Sequence, residues 1–145
     1  MTVYPDSGFL CSVYSPDAHS VRAQEAMQAR TTPLCFTPLH DLELRNALRL
    51  RVFRKEITHA QSVSSIRALQ TDLASGVLTH LQTTWTDAAM EAERLSAAHT
   101  ESLGTRSLDI LHVGFALAAG TVEFLTFDKR QAALAKAAGL KVPKL

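Results

Sequence analysis

Short β-like runs alternate with helix-length segments along the chain, and this alternation restricts the fold more than any other feature of the sequence. Four runs favour strands, namely Val3-Tyr4, Leu34–Phe36, Val77–Leu81 and Val122–Thr126. Strands that alternate with helices are typical of an α/β domain with a mainly parallel sheet. The 145 residues contain no linker, repeat or low-complexity tract, so we expect residues 1–145 to form one domain.

Helix start and stop signals fill the intervals between these strands. Thr37-Pro38 is typical of an N-cap followed by proline in the first helical turn. Asp128 is expected to cap the last helix, and a short strand near Val142 to follow it. The predicted helices span about 8–14, 18–30, 38–55, 59–74, 86–98, 105–119 and 129–138.

Composition and charge exclude several classes of protein. A hydrophobic fraction of 46% and a formal net charge of +1 argue against a disordered chain and against a histone-like protein that binds nucleic acid through bulk charge. An enzyme with locally segregated charge stays open. Cys11 and Cys35 are too few for a disulfide framework and are expected to be reduced thiols. Without a signal-peptide pattern or a long apolar run, we expect a cytoplasmic protein.

Four carboxylates fall where the predicted sheet would bring them together. Asp6 ends the first strand and Asp128 follows the strand 122–126. Glu43 and Asp109 lie in the early turns of helices that begin at, or close to, the same edge. Ligands of open parallel sheets bind outside the carboxyl ends of the strands, so these four acids are candidates for one pocket.

Each acid also has a purely structural interpretation. Asp128 could be only an N-cap, and Asp109 only a favourable charge in a first helical turn. Glu43 could be a solvated helix residue, and Asp6 a turn residue.

Converging carboxylates favour a hard divalent cation. Like charges in a shared site raise one another's pKa, and a cation with oxygen ligands relieves that repulsion. No cluster of cysteine and histidine in the sequence favours zinc. Mg²⁺ or Mn²⁺ is therefore the expected cofactor, and such a site is typical of phosphoryl chemistry with a metal-activated water.

Four segments, in this order and at these spacings, resemble the PIN-domain ribonucleases, and VapC-type toxins of toxin–antitoxin modules above all. The segments cover nearly the whole chain: Asp6-Ser7-Gly8-Phe9-Leu10, Glu43-Leu44-Arg45-Asn46-Ala47-Leu48, Asp109-Ile110-Leu111-His112-Val113 and Thr126-Phe127-Asp128. The resemblance implies a three-layer α/β/α sandwich around a parallel sheet. It also implies a metal-dependent endoribonuclease acting on a structured RNA, a cognate antitoxin as partner, and a homodimer.

The resemblance also implies roles for particular residues. Asp6, Asp109 and Asp128 would hold the metal, and Glu43 would complete the catalytic set. The supporting residues would be Ser7, Asn46 and Thr126. His112, one helical turn from Asp109, is interpreted as a supporting or core residue rather than a ligand. Pro5 departs from the family, which usually has an aliphatic strand residue there, and it puts the backbone geometry of Asp6 in doubt.

Basic residues near the acids are candidates for RNA binding. Arg45 and Arg49 are four residues apart and share a helix face, and Arg106 precedes Asp109 closely. A solvated helix face is the alternative for the first two. Trp85 could stack on a base but is more typical of packing.

Two other functions stay open on the sequence alone. One is a phosphatase with Asp6 or Asp128 as nucleophile and Lys129 as phosphate partner. The absence of an Asp-x-Asp pair after the first strand disfavours it, since Gly8 stands two residues after Asp6. The other is a non-catalytic RNA-binding or scaffold module on the same fold.

Overall fold

Four parallel strands form one sheet in the computed structural model, which describes residues 2–145. The strands lie in the order β3-β2-β1-β4. They span Val3–Pro5 (β1), Leu34–Phe36 (β2), Leu78–His80 (β3) and Glu123–Leu125 (β4). All three pairings are parallel, so the mainly parallel sheet predicted from the sequence is confirmed.

Helices connect the strands and cover both faces of the sheet. They span Ser7–Tyr14 (α1), Ser20–Gln28 (α2), Pro38–Phe53 (α3), His59–Ser75 (α4), Trp85–Leu95 (α5), Glu101–Leu103 (α6), Ser107–Ala118 (α7) and Lys129–Ala137 (α8). A π-helical turn over Ser96–Thr100 joins α5 to α6. The three-layer α/β/α architecture implied by the resemblance is present.

Local hydrogen bonds explain where the helices differ from the prediction. The start of α2 is later than expected because Asp17 Oδ1 accepts from the backbone N–H of His19, which holds a turn before the helix. The helix expected from residue 86 begins one residue earlier, at Trp85, because the Thr84 hydroxyl is the N-cap and accepts from Asp87 N. The single helix expected to reach residue 98 ends at Leu95.

Side chains of β1, β2 and β4 alternate between two cores on opposite faces of the sheet. Val3, Leu34 and Leu125 belong to a core with α1, α2, α3 and α4. Tyr4 and Phe124 belong to the other core, formed with α5, α7 and α8. This alternation is the period-two geometry of strands buried on both faces.

The strand order reverses between β1 and β4. The chain moves from β1 to β2 to β3 in one direction, and then returns to place β4 on the other side of β1. Such a reversal leaves a crevice at the carboxyl ends of the two strands. Asp6 follows β1 and Thr126 follows β4 at this point, and the register Pro5–Leu125 sets them side by side.

Pro5 is accommodated within β1 without displacing Asp6 from the sheet. Pro5 pairs in register with Leu125, and the next amide, Asp6 N, donates to Leu125 O at 2.9 Å. Because N–H groups alternate sides along a parallel strand, the nitrogen of Pro5 faces β2. The β1–β2 register pairs only Val3 with Leu34, and Pro5 O accepts from His40 Nε2 at 2.7 Å.

The carboxyl-terminal segment and the cysteines complete the fold. The strand expected near Val142 is reduced to one bridge between Lys141 and Glu123. Both cysteines are free thiols, with Cys35 buried and Cys11 partly buried, as expected. Within residues 2–145, no helix combines the length and the apolarity needed to cross a membrane.

Candidate functional site

Asp6 lies where β1 passes into α1, and both of its carboxylate oxygens are engaged. Oδ1 accepts from the backbone N–H of Phe9 at 2.7 Å, which makes Asp6 the N-cap of α1. Oδ2 accepts from the hydroxyl of Thr126. Asp6 is buried, with 7% of its surface exposed, so its carboxylate faces the interior end of the crevice rather than bulk water.

Thr126 joins Asp6 to the second strand of the crevice. While its hydroxyl donates to Asp6, its oxygen accepts from the backbone N–H of Asp128 at 3.0 Å. Asp128 is the N-cap of α8, with Oδ1 accepting from Gln131 N at 2.8 Å. The N-cap role expected of Asp128 is therefore confirmed, and it coexists with a place beside Asp6.

Burial raises the pKa of Asp6 to about 6. The hydrogen bonds from Thr126 and Phe9 and the interaction with His112 act in the opposite direction, while the neighbouring charge of Asp128 raises the pKa further. A buried carboxylate next to another carboxylate is stabilised by a proton or by a cation. Perturbed pKa values of this kind are concentrated at functional sites.

Glu43 is held on the other side of Asp6 by two side chains. Ser7 Oγ donates to Glu43 Oε1 at 2.9 Å, and His112 Nε2 lies 2.5 Å from the same oxygen. Ser7 Oγ and His112 Nε2 are also within hydrogen-bond distance of each other, at 3.0 Å. The supporting role predicted for Ser7 and the supporting interpretation of His112 thus correspond to one three-membered cluster.

Tyr4 continues this cluster into the core. Its hydroxyl lies 2.8 Å from His112 Nδ1, and both residues are buried. An ionised carboxylate only accepts hydrogen bonds, so His112 Nε2 carries the hydrogen that is given to Glu43. In a neutral imidazole Nδ1 then accepts from Tyr4, and the hydrogen bonds run in one direction, from Tyr4 through His112 to Glu43.

Glu43 is ionised more readily than an ordinary glutamate. Partial burial raises its pKa, but the hydrogen bonds from His112 and from the Ser7 hydroxyl outweigh that effect and lower the pKa. Two neighbouring carboxylates, Asp6 and Glu43, therefore have pKa values moved in opposite directions by their surroundings. Such divergence is typical of sites that perform acid–base chemistry.

Asp109 lies in the first turn of α7, and its backbone is linked to α8. Gln131 Nε2 donates to the backbone carbonyl of Asp109 at 3.0 Å, and the backbone N–H of Gln131 donates to Asp128 Oδ1. The Asp109 carboxylate makes an exposed contact with Arg106 Nε at 3.3 Å. Within residues 2–145, neither the Asp109 nor the Glu43 carboxylate is hydrogen-bonded to the Asp6–Thr126–Asp128 unit, since Glu43 is bound by Ser7 and His112 instead.

The remaining predicted residues are placed as follows. Asn46 lies one helical turn beyond Glu43, is exposed, and makes no side-chain hydrogen bond within residues 2–145. Arg45 is engaged by Asp41 at 2.8 Å on α3 itself, and Arg49 is exposed. Trp85 packs edge-on against Phe115 with ring centroids 5.0 Å apart, while 48% of its surface stays exposed.

The donor set suits a hard cation that keeps its water. In residues 2–145, no three histidine, cysteine, aspartate or glutamate side chains converge as a ready-made metal cage. Mg²⁺ needs no such cage, since one or two carboxylates with retained waters are its usual ligands. Gln131 Oε1 is a buried oxygen with no hydrogen-bond partner in the described chain, and such an acceptor is costly unless water or an ion reaches it. The residues present therefore fit Mg²⁺ or Mn²⁺.

Sequence reasoning missed Tyr4 and Gln131. Tyr4 has the pattern of an ordinary strand residue. Its alternation with Val3 indicates that it faces the other side of the sheet, where the structure places α7 and His112. Gln131 sits three residues after a capping aspartate, which is a pattern of helix starts rather than of sites. Neither position carries a signal of its own in a single sequence.

Comparisons with known proteins bear on the fold. No family model matches the sequence, and no curated protein matches it. The chain superposes on the sarcin–ricin-loop-cleaving toxin VapC20 of Mycobacterium tuberculosis with a TM-score of 0.66 at 16% identity, covering 90% of this chain and 93% of that one.

Two other solved structures give similar agreement. VapBC2 of Rickettsia felis, bound to a promoter DNA fragment, has a TM-score of 0.65 at 12% identity, with 99% of this chain and 98% of that chain covered. FitAcB of Neisseria gonorrhoeae has a TM-score of 0.62 at 12% identity, covering 98% and 96%. The chain therefore has the PIN-like fold of the VapC-type toxins, and the resemblance drawn from its motifs is confirmed in that fold.

Proposed function

We propose that this protein is a metal-dependent endoribonuclease, a VapC-type toxin that hydrolyses phosphodiester bonds of a structured RNA. The observation that carries the proposal is the Asp6–Thr126–Asp128 unit at the strand-order reversal, with Glu43 held beside it by Ser7. The solved relatives in fold include a toxin that cleaves the sarcin–ricin loop, which supports a ribonuclease over other phosphoryl-transfer enzymes.

Asp6, Asp109 and Asp128 would hold Mg²⁺ or Mn²⁺, directly or through waters. When bound, the cation would lower the pKa of a water and offset the charge that develops on the phosphoryl oxygens. It would also keep Asp6 ionised, because a nearby cation opposes the effect of burial on that carboxyl.

Glu43 is positioned to move a proton. Its Oε1 is occupied by Ser7 and His112, whereas Oε2 accepts no hydrogen bond within residues 2–145. Its lowered pKa keeps it ionised at neutral pH. Glu43 Oε2 is then free to accept the proton of an attacking water, with the two hydrogen bonds on Oε1 fixing its orientation.

The fold also supports a protein partner. Two of the solved relatives are toxin–antitoxin complexes, VapBC2 and FitAcB. We propose a cognate antitoxin that covers the acidic crevice, and a homodimeric toxin. RNA contacts by Arg45, Arg49 and Arg106 belong to the same proposal, with Arg106 next to Asp109.

Cleavage of RNA by the purified protein tests the proposal. We expect the wild type to cut total cellular RNA at defined positions with Mg²⁺ or Mn²⁺ and to stop growth when expressed. Asp109→Asn should remove both effects and leave the thermal unfolding midpoint within a few degrees, because Asp109 is partly exposed.

Asp87→Asn is the matched control. Asp87 is the third residue of α5 as Asp109 is the third residue of α7, so both substitutions remove a carboxylate from the same helical position. Equal activity of the two variants would contradict the assigned site. A wild type that binds RNA and cuts none would identify a non-catalytic module instead.

A further inference from the structure

A cavity of about 520 Å³ opens beside Asp128, outside the carboxylate site. It lies between α2, the β4–α8 junction and the carboxyl-terminal segment. Its wall includes Thr126 and Asp128, so it is continuous with the crevice that holds Asp6. Apart from Lys129, which the phosphatase alternative uses as a phosphate partner, no residue in the rest of its lining has a role predicted from the sequence.

The lining is strongly cationic. Arg22, Lys129, Lys136 and Lys144 line the cavity, and Asp128 is its only carboxylate side chain. Arg22 Nη1 donates to Leu145 O at 3.3 Å. The three lysines form no ion pair within residues 2–145, in contrast to Arg45 and Arg51 on α3. Unpaired cations around one concave surface create a positive potential that attracts phosphate groups.

A stack of rings supports the floor of this cavity. Phe127 packs on the buried Phe9 with centroids 5.7 Å apart, and His19 stacks on Phe127 at 4.4 Å with planes inclined by 8°. Arg22 lies 5.1 Å above the Phe127 ring. The core therefore holds His19 and Arg22 in place, which reduces the conformational entropy lost when they bind a ligand.

His19 presents a hydrogen-bond donor and a flat surface. Arg22 Nη2 lies 2.5 Å from His19 Nδ1, and because a guanidinium only donates, Nδ1 is the acceptor. The hydrogen of a neutral His19 is then on Nε2. An imidazole stacked on one face, with cationic neighbours, suits a nucleotide, whose base stacks and whose phosphate accepts hydrogen bonds.

We propose that this cavity is an RNA subsite that holds a phosphate and an adjoining nucleotide next to the cleaved bond. The inference rests on the proposed ribonuclease function, and it assigns RNA contacts to α2, α8 and the carboxyl-terminal segment in addition to α3. Lys136 and Lys144 bind the RNA backbone, and His19 supports a base.

RNA binding by single-lysine variants tests this subsite. The probe is a fluorescein-labelled RNA hairpin with a single-stranded extension, and binding is followed by fluorescence anisotropy in Mg²⁺ at several KCl concentrations. All proteins carry Asp109→Asn to prevent cleavage. We expect Lys136→Gln and Lys144→Gln each to weaken binding about three- to tenfold and to reduce the slope of log affinity against log salt by about 0.7.

Arg67→Gln is the matched control, because Arg67 is an exposed cation on α4, lies outside the cavity and forms no ion pair within residues 2–145. It should bind RNA like the parent protein. If Lys136→Gln and Lys144→Gln also bind like the parent, the subsite is refuted while the ribonuclease proposal stands. If the parent binds no RNA and the wild type cuts none, the proposed function itself fails.

An acidic protein segment is the competing occupant. A polyglutamate peptide is therefore titrated against the same variants. If the lysine substitutions abolish peptide binding and leave RNA affinity unchanged, the cavity is a protein-docking site and the RNA subsite is refuted.

Discussion

The Tyr4 hydroxyl acts on Glu43 through His112 without touching the carboxylates itself. It lies 2.8 Å from His112 Nδ1, inside the core. Tyr4 stays protonated, since burial raises its pKa well above the usual value. The hydroxyl therefore remains a donor, and it favours the His112 tautomer that carries hydrogen on Nε2 and donates it to Glu43.

Tyr4→Phe should separate this orienting effect from packing. We expect cleavage to fall about tenfold, the size typical of losing an outer hydrogen bond to a site residue. The free energy of unfolding should fall by about 1–3 kcal/mol because Nδ1 loses its donor. In nitrogen-15 NMR spectra of labelled histidine, the Nε2–H tautomer of His112 should be depleted.

Tyr14→Phe is the control for that variant. Tyr14 also donates from a buried ring, to Asp72 Oδ2 at 2.6 Å, but away from the site. The Tyr14→Phe variant should be less stable than the wild type, but its RNA cleavage and its His112 NMR spectrum should be unchanged. If both tyrosine variants lose activity equally, Tyr4 has no orienting role.

Asp6→Asn should change how stability depends on pH. Folding raises the Asp6 pKa from 3.8 to about 6, so between these values the folded state holds more protons than the unfolded state. Stability of the wild type, without divalent cations, therefore falls as pH rises through this window. The asparagine variant lacks this titration, and asparagine still serves as an N-cap.

Chemical denaturation at pH 4 and pH 7 in EDTA measures this difference. A shift of about two pKa units corresponds to roughly 2–3 kcal/mol. Relative to the wild type, the variant should gain about that much stability between the two pH values. Other titrating groups, such as the buried His40, are common to both proteins and cancel. Parallel stability curves would contradict a raised Asp6 pKa.

For single residues, the sequence predicts the acids of the site better than it predicts the residues that hydrogen-bond around them. Asp6 and Asp128 could be placed because strand ends and N-caps have local patterns. Asp109 was expected to converge with them, yet its carboxylate contacts Arg106. Tyr4 and Gln131 could not be assigned, because their roles depend on α7 and α8 packing beside β1, which no local pattern encodes.

Helices α5 and α7 pack closely at Gly114. A Cβ atom at this position would lie 2.5 Å from Ala88 O and 3.0 Å from Ala92 N. Both of these are backbone atoms of α5, so the helices would have to separate to accommodate a side chain. Because α7 carries Asp109 and His112, its distance from α5 also affects the site.

Gly114→Ala should destabilise the protein by about 1–3 kcal/mol, as overpacking in a core does. Gly8→Ala is the control, because its Cβ would meet Asp6 Oδ1 at an ordinary 3.5 Å. In a helix that change is neutral or stabilises by up to about 1 kcal/mol. Urea unfolding of both variants measures the contrast, and similar stability for the two would contradict the close approach.

Elements with local signals were predictable, and those formed by packing were not. Thr37-Pro38, Thr58 and Asp128 mark helix starts that the structure has. The π-helical turn over Ser96–Thr100 has no such signal, since its residues favour an ordinary helix. The prediction of a terminal strand near Val142 is wrong, because the described carboxyl-terminal segment forms a single bridge to β4, at Lys141.

Charge is segregated across the molecule although its formal net value is +1. Acids meet at the carboxyl ends of β1 and β4, and unpaired cations line the adjoining cavity. The near-neutral total hides this arrangement, and composition alone could not reveal it. It predicts weak RNA binding without metal, since the uncompensated carboxylates repel phosphate at the point of cleavage.

The central claim is that the carboxylates direct water onto an RNA phosphodiester. Cleavage in water enriched in oxygen-18, with Mn²⁺ present and mass spectrometry of the product ends, tests it most directly. We expect one labelled oxygen in a terminal monophosphate, a free hydroxyl on the facing end, and no product from Asp109→Asn. Products ending in an unlabelled 2′,3′-cyclic phosphate, or equal cleavage by that variant, would contradict the claim.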